Sequence, residues 1–192
     1  MKTEGRLVWI DLEMSGLDLR KCEILEIATI ITDSQLEIIA EGPEMVIHQS
    51  DEVLDAMDEW NTKHHGASGL TKAVRNSDIS LEAAEEKTLR FVRRYCEENN
   101  APLCGNSIWQ DRRFLARYMP ELEQYLSYRV IDVSSFKEVV YRWYSGNIRP
   151  PSKGQSHRAL DDIQESIKEL KFYREHVFAA PGGGAETRSA DS

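Results

Sequence analysis

Several things are missing from this sequence, and each absence narrows what it can be. No apolar run in its 192 residues approaches the roughly 20 needed to cross a bilayer, so no membrane association is expected. Cysteine is scarce. Cys22, Cys96 and Cys104 are odd in number, scattered and without metal-ligand spacing, which leaves free thiols in a reducing compartment as the expectation. The first strand pattern starts within a handful of residues, leaving no room there for a signal or transit peptide, so the cytoplasm is the expected location. Positive charge is also short, with 24 Lys and Arg against 33 Asp and Glu and a net charge of −9. Residues 1–100 hold 11 basic against 21 acidic side chains, and residues 101–192 hold 13 against 12. A long nucleic-acid groove shows as a basic stripe, which the chain as a whole lacks. A nucleic-acid substrate would have to be short, with metals and a few arginines handling its charge. There is no internal repeat, and the length suits one domain.

The stretch from Arg6 to Leu17 (RLVWIDLEMSGL) reads as a strand apolar on both faces, the pattern of a central strand in a covered sheet. Asp11 and Glu13 interrupt it at i and i+2, on the same face and about 7 Å apart along the strand. Two anions at the end of a buried strand are costly unless a cation lies between them, and magnesium or manganese suits carboxylate oxygens. The alternative is a strand whose end emerges into water.

Along the chain, residues 25–33 predict a second strand and residues 36–47 a third, broken by Gly42-Pro43. Residues 51–60 predict a short acidic helix, and residues 61–77, carrying His64 and His65, an irregular loop. Ser80 predicts the cap of a helix to about Glu98, with Leu81, Ala84, Thr88, Leu89, Val92 and Tyr95 on one face. A fourth strand at 102–104 leads to Ser107, a candidate cap for a helix along Ile108, Asp111, Leu115 and Tyr118. A fifth strand at 129–133 precedes a helix opened by Ser134. After a Pro/Gly-rich loop at 146–155, a last helix runs from Ser156 to about Val177. Residues 1–178 thus form one mixed α/β domain, and the Gly-rich tail 179–192 is expected to be disordered.

Asp111 shares the apolar stripe of its helix and so needs a partner, while Arg112, Arg113 and Arg117 are expected to face away. In the last helix, at about 100° per residue, Asp162 lies at the edge of the packing stripe and Asp161 points to solvent. His157 stands at the helix entry, as a surface residue or as a base near Asp162. Asp11, Glu13, Asp111 and Asp162 on three elements, with one histidine, fit a two-metal phosphodiesterase, in which ions about 4 Å apart clamp the attacking and leaving oxygens. His157 would then accept the proton, as a near-neutral pKa allows.

Asp11-Leu12-Glu13, Asp111 and His157-x4-Asp162 resemble the three motifs of the DEDD exonucleases, in the subclass with a histidine. Residues 9–17 (WIDLEMSGL), 102–107 (PLCGNS), 128–134 (YRVIDVS) and 156–163 (SHRALDDI) narrow the resemblance to the oligoribonuclease family, over roughly residues 5–178. The resemblance implies a ribonuclease-H-like α/β fold with a five-stranded mixed sheet flanked by helices. It implies two Mg²⁺ or Mn²⁺ ions, a homodimer, and 3′→5′ release of 5′-mononucleotides from short single-stranded RNA, down to dinucleotides. Leu17 would wedge against the bases, Trp60 would stack near the 3′ end and His65 would touch the substrate. Ser107, Arg129 and Ser134 would cap the 5′ phosphate, with Tyr128 reaching over from a second subunit, and Asn106 would also bind substrate. Taken by themselves, Leu17 and Trp60 read more readily as packing residues, and Arg129 equally well as half of a structural ion pair. Two rival readings share the fold: a trimming or proofreading exonuclease acting on longer DNA or RNA, and a catalytically silent RNA-binding module.

Overall fold

The computed structural model describes residues 5–150 and 158–178. The acidic stretch forms β1 (Leu7–Met14), and it is central because both its faces are apolar. Val8, Ile10 and Leu12 enter one core cluster, and Leu7 and Trp9 enter another on the opposite side of the sheet. β2 (Ile24–Thr32) pairs antiparallel with β1 over almost its whole length and is buried throughout. β3 (Ile38–Glu41) and β4 (Met45–Val46) both pair antiparallel with β2. The break falls at the expected Gly42, whose N–H donates to the Thr29 carbonyl at 2.8 Å. A Cβ there would lie 2.6 Å from the Phe91 ring and 2.9 Å from that carbonyl, so only glycine permits the approach. On the other side of β1, β5 (Leu103–Gly105) and β6 (Val130–Asp132) run parallel to it, giving the order β3-β2-β1-β5-β6 with β4 off that path. The mixed sheet of the sequence reading is therefore present, with the short β4 as a sixth strand.

Helices cover both faces. α4 (Leu81–Val92), α5 (Ile108–Tyr118) and α6 (Pro120–Tyr125) pack on the Val8–Ile10–Leu12 side. α7 (Val133–Trp143) and α8 (Ala159–His176) pack on the Trp9 side. Ser80 caps α4 as expected, accepting from Ala83 N at 3.2 Å, and Ala84, Thr88, Leu89 and Val92 are its buried residues. A third, smaller cluster of Leu25, Leu54, Met57, Leu70 and Val74 joins β2 to α1 (Asp51–Asp55) and α3 (Leu70–Asn76).

Several expectations fail. Residues 61–77 are not an irregular loop but most of α2 (Glu59–Ala67) and all of α3, separated by Gly69 at φ 79°. The hydrophobic pattern misses α2 because His65 is its one buried residue, so the helix has no apolar stripe. The helix expected at Ser134 is capped instead by Asp132, which accepts from Ser134 N at 3.0 Å. Arg112 does not face away: its guanidinium reaches Glu123 at 2.8 Å and donates to the Ser127 carbonyl at 3.0 Å, bracing α5 against α6. The expected helix start at Ser156 and the tail 179–192 lie outside the described residues.

Candidate active site

The site is built where β1 outruns its parallel neighbour. β5 pairs with β1 only at Val8 and Trp9, and Gly105 then turns the chain away. A Cβ on Gly105 would stand 3.1 Å from the Ile10 carbonyl and 2.8 Å from the Ile108 Cδ1, so a larger residue at this turn would have to displace its neighbours. Past that point the β1 N–H groups on this edge have lost their strand partner. Leu12 N finds the Asp111 carboxylate instead, at 3.0 Å. Asp111 is buried, and burial is the main cause that pushes its carboxyl up to about 7.

On the opposite face, α8 brings Asp162 in from its first turn. Asp162 is half-buried and Asp161 exposed, as the helical angle requires. Ligand oxygens of Asp11, Glu13 and Asp162 all lie within 4.8 Å of one another. Glu13 carries the cost of that grouping. Burial first, then the charges of Asp162, Glu26 and Asp111, push its carboxyl up to about 8. An oxygen-only donor set this crowded suits a hard divalent cation such as Mg²⁺ or Mn²⁺. Of the four expected carboxylates, the structure thus gathers three, with Asp111 behind them and near enough to raise Glu13. His157 lies outside the described residues.

The expected substrate residues fall into two groups. Around the acidic end, Leu17 and Trp60 are each 59% exposed, which rules out the packing reading for both. Trp60 stacks on His64 with ring centroids 3.9 Å apart. His65 is only 2% exposed: Nε2 donates to the Met14 carbonyl at 3.0 Å, and Nδ1 lies 3.9 Å from Glu13 Oε2. It ties α2 to the end of β1. At the β5–β6 end, Ser107 and Ser134 meet around Asp132. Its Oδ1 accepts from Ser107 N at 2.9 Å, Ser134 N at 3.0 Å and Ser134 Oγ at 2.6 Å. Ser107 sits at φ 50° and does not cap α5 with its side chain, because its N–H is turned to Asp132. Asn106 directs Nδ2 into α8, toward Ser166 Oγ at 2.7 Å and Glu169 at 3.4 Å. Among the described residues, Arg129 donates from Nε to Tyr128 Oη at 3.1 Å with its guanidinium over that ring, and Tyr128 is 79% exposed.

Sequence reasoning missed Glu26, Arg158 and Asp132. Glu26 had a visible signal: one carboxylate inside a β-branched strand, which demands a buried partner. Asp132 had one too, as an N-cap residue type directly before Val133.

A family model described as exonuclease matches residues 8–170. The oligoribonuclease of Acinetobacter baylyi is 54% identical over 91% of this chain and 96% of that protein. The chain belongs to the oligoribonuclease family. The human mitochondrial oligoribonuclease is likewise 54% identical, over 90% of this chain and 73% of its own length. Among solved structures, Escherichia coli exonuclease I in complex with a dT13 oligonucleotide superposes with a TM-score of 0.70 at 15% identity. That match covers 89% of this chain but 41% of the larger one, and it supports the fold alone. In this member of the family, Asp11, Glu13 and Asp162 make the candidate divalent-metal centre.

Proposed function

We propose that the chain is a 3′→5′ exoribonuclease that hydrolyses short single-stranded oligoribonucleotides, down to dinucleotides, to 5′-mononucleotides. The observation that carries this reading is the convergence of Asp11, Glu13 and Asp162 within 4.8 Å at the open end of β1, in a chain of this family. Asp11, Glu13, Asp162 and Asp111 would hold two Mg²⁺ or Mn²⁺ ions. Such ions, when bound, neutralise phosphate charge and acidify the attacking water. His157 is the base in this reading, taking the proton as water attacks the terminal phosphorus and the 3′ oxygen of the preceding nucleotide leaves. Asp11 and Glu13 are fixed by the strand ladder, Asp162 by α8 and Asp111 by Leu12 N, so the oxygens are set before substrate arrives.

Leu17 and Trp60 offer exposed apolar surface to the bases, a task that stacking serves without sequence preference. His65, buried and bonded to the Met14 carbonyl, holds α2 and thereby Trp60 in place, and would meet substrate only through its edge. Ser107, Ser134 and Arg129 would receive the 5′ phosphate, and a capped 5′ end limits length. A homodimer would bring the partner subunit's Tyr128 over the site. The exposed Val130 in edge strand β6, and the exposed Tyr128 just before it, support that. Cys22, Cys96 and Cys104 are free thiols, which fits a reducing compartment such as the cytoplasm. Among the described residues no helix is long and apolar enough to cross a membrane.

The test is a length series of RNAs from two to about twenty nucleotides, first with Mg²⁺ or Mn²⁺ and then with chelator. Fastest turnover at two to five nucleotides, abolished by chelator, is expected. Faster cleavage of the long RNA would favour a trimming exonuclease, and binding without metal-stimulated hydrolysis a silent module.

A further inference from the structure

A further carboxylate beside the acidic cluster is closed off from a metal ion by an arginine. Glu26 on β2 stands opposite Glu13 in the antiparallel register, on the face that α8 covers, and it is 0% exposed. Arg158 takes both its oxygens, with Nε at 3.0 and 3.1 Å and Nη2 at 2.5 Å from Oε1. Ala159 N, the first N–H of α8, donates to Oε2 at 3.2 Å. Arg158 Nη2 also reaches Glu44 at 3.3 Å, which ties the same guanidinium to the segment before β4. The Arg158 carbonyl in turn accepts from Asp162 N at 3.1 Å and closes the first turn of the helix. A continuous path therefore runs from β2, through the Glu26 carboxylate and Arg158, to the backbone of Asp162.

That path fixes one side of a crowded site. Ligand oxygens of Asp11, Glu13 and Asp162 lie within 4.8 Å of one another, and only the placement of the start of α8 against the sheet keeps the third of them there. A carboxylate at the helix N-terminus, locked to a planar two-pronged cation, resists displacement of that helix start in direction as well as distance. Resting on the metal-dependent reading above, we infer that Glu26 and Arg158 are a positioning pair for the metal centre. They fix the register and angle at which α8 enters the site, and so hold the Asp162 carboxylate on Asp11 and Glu13. Glu26 is not itself a ligand: its oxygens face Arg158 and Ala159, and it is absent from the cluster of convergent ligand atoms.

The pair is tested with Arg158→Lys, Arg158→Gln and the double variant Glu26→Gln/Arg158→Gln. Mn²⁺ affinity is read without turnover from the electron paramagnetic resonance signal of the free ion. kcat and KM for a dinucleotide are measured at saturating Mn²⁺, and thermal melting tracks the fold. Arg158→Gln is expected to weaken Mn²⁺ binding and lower kcat, each by about 10–100-fold, the range for groups that orient metal ligands, while KM changes little. Arg158→Lys keeps the charge at a partly exposed position but loses the fork, and should fall between parent and Arg158→Gln. The double variant leaves no lone buried charge, yet should remain weak in Mn²⁺ binding, since pairing geometry is what places Asp162. Variants that melt lower but bind Mn²⁺ and turn over within about twofold of the parent would make the pair merely structural and overturn the inference alone. A parent that binds no Mn²⁺ would instead sink the metal centre, and this inference with it.

Discussion

Glu13 is the side chain whose chemistry depends most on its surroundings. Burial and three nearby carboxylates raise it from 4.5 to about 8, and burial raises Asp111 from 3.8 to about 7. Both folded values lie above the unfolded ones. The stability these groups contribute in the protonated form is complete below about pH 4 and is lost as pH climbs through 7 to 8. The chelator-treated protein is therefore expected to melt at a lower temperature at about pH 8.5 than at about pH 5.5, and Mn²⁺ should raise the midpoint more at the higher pH. Differential scanning calorimetry checks both trends, and a metal-free midpoint that rises over this interval would contradict them. Asp11→Asn removes one of the crowded charges without changing shape. It should abolish dinucleotide hydrolysis while leaving the circular dichroism spectrum and the melting midpoint intact or raised; near-normal turnover would sink the mechanism. The four acidic residues were legible because strand alternation and helical angle alone fix which way a side chain points. His65 was not, since its burial comes from α2 lying against the end of β1 rather than from any pattern in its neighbours.

At the scale of elements, Asp132 joins the ends of β5 and β6 to the starts of α5 and α7. One oxygen accepts from two backbone N–H groups and the Ser134 hydroxyl, so the residue is both a helix cap and a tie between Ser107 and Ser134. Asp132→Ala is expected to cost about 1–2 kcal/mol, the upper range for loss of a cap, read as a lower urea midpoint at constant m. An unchanged midpoint would mean that water replaces all three bonds. The strands and α4, α5 and α8 were legible from apolar periodicity with turn or capping residues at their ends. α2 was not, because a nearly all-polar helix is held by its Asp58 cap and by contacts from other elements, neither of which leaves a stripe.

For the whole molecule, exposed apolar groups include Tyr128 and Val130 at the sheet edge and Tyr141, Trp143 and Tyr144 at the end of α7. A dimer is the expected state, and sedimentation equilibrium at micromolar concentration checks it; a monomer that still turns over dinucleotides would remove any role for the partner subunit's Tyr128. By itself the sequence determined the class of the fold, the acidic character of its centre and the orientation of each acidic side chain, since these follow from local periodicity and residue chemistry. It also carried the family, through four motifs in a fixed order. Only the tertiary structure decided that β5 stops short and hands Leu12 N to Asp111, or that Glu26 is held by an arginine 132 positions away rather than by a metal ion. Those pairings depend on which backbone groups are left without a partner once the sheet is assembled, and that is settled by register between distant segments rather than within any one of them.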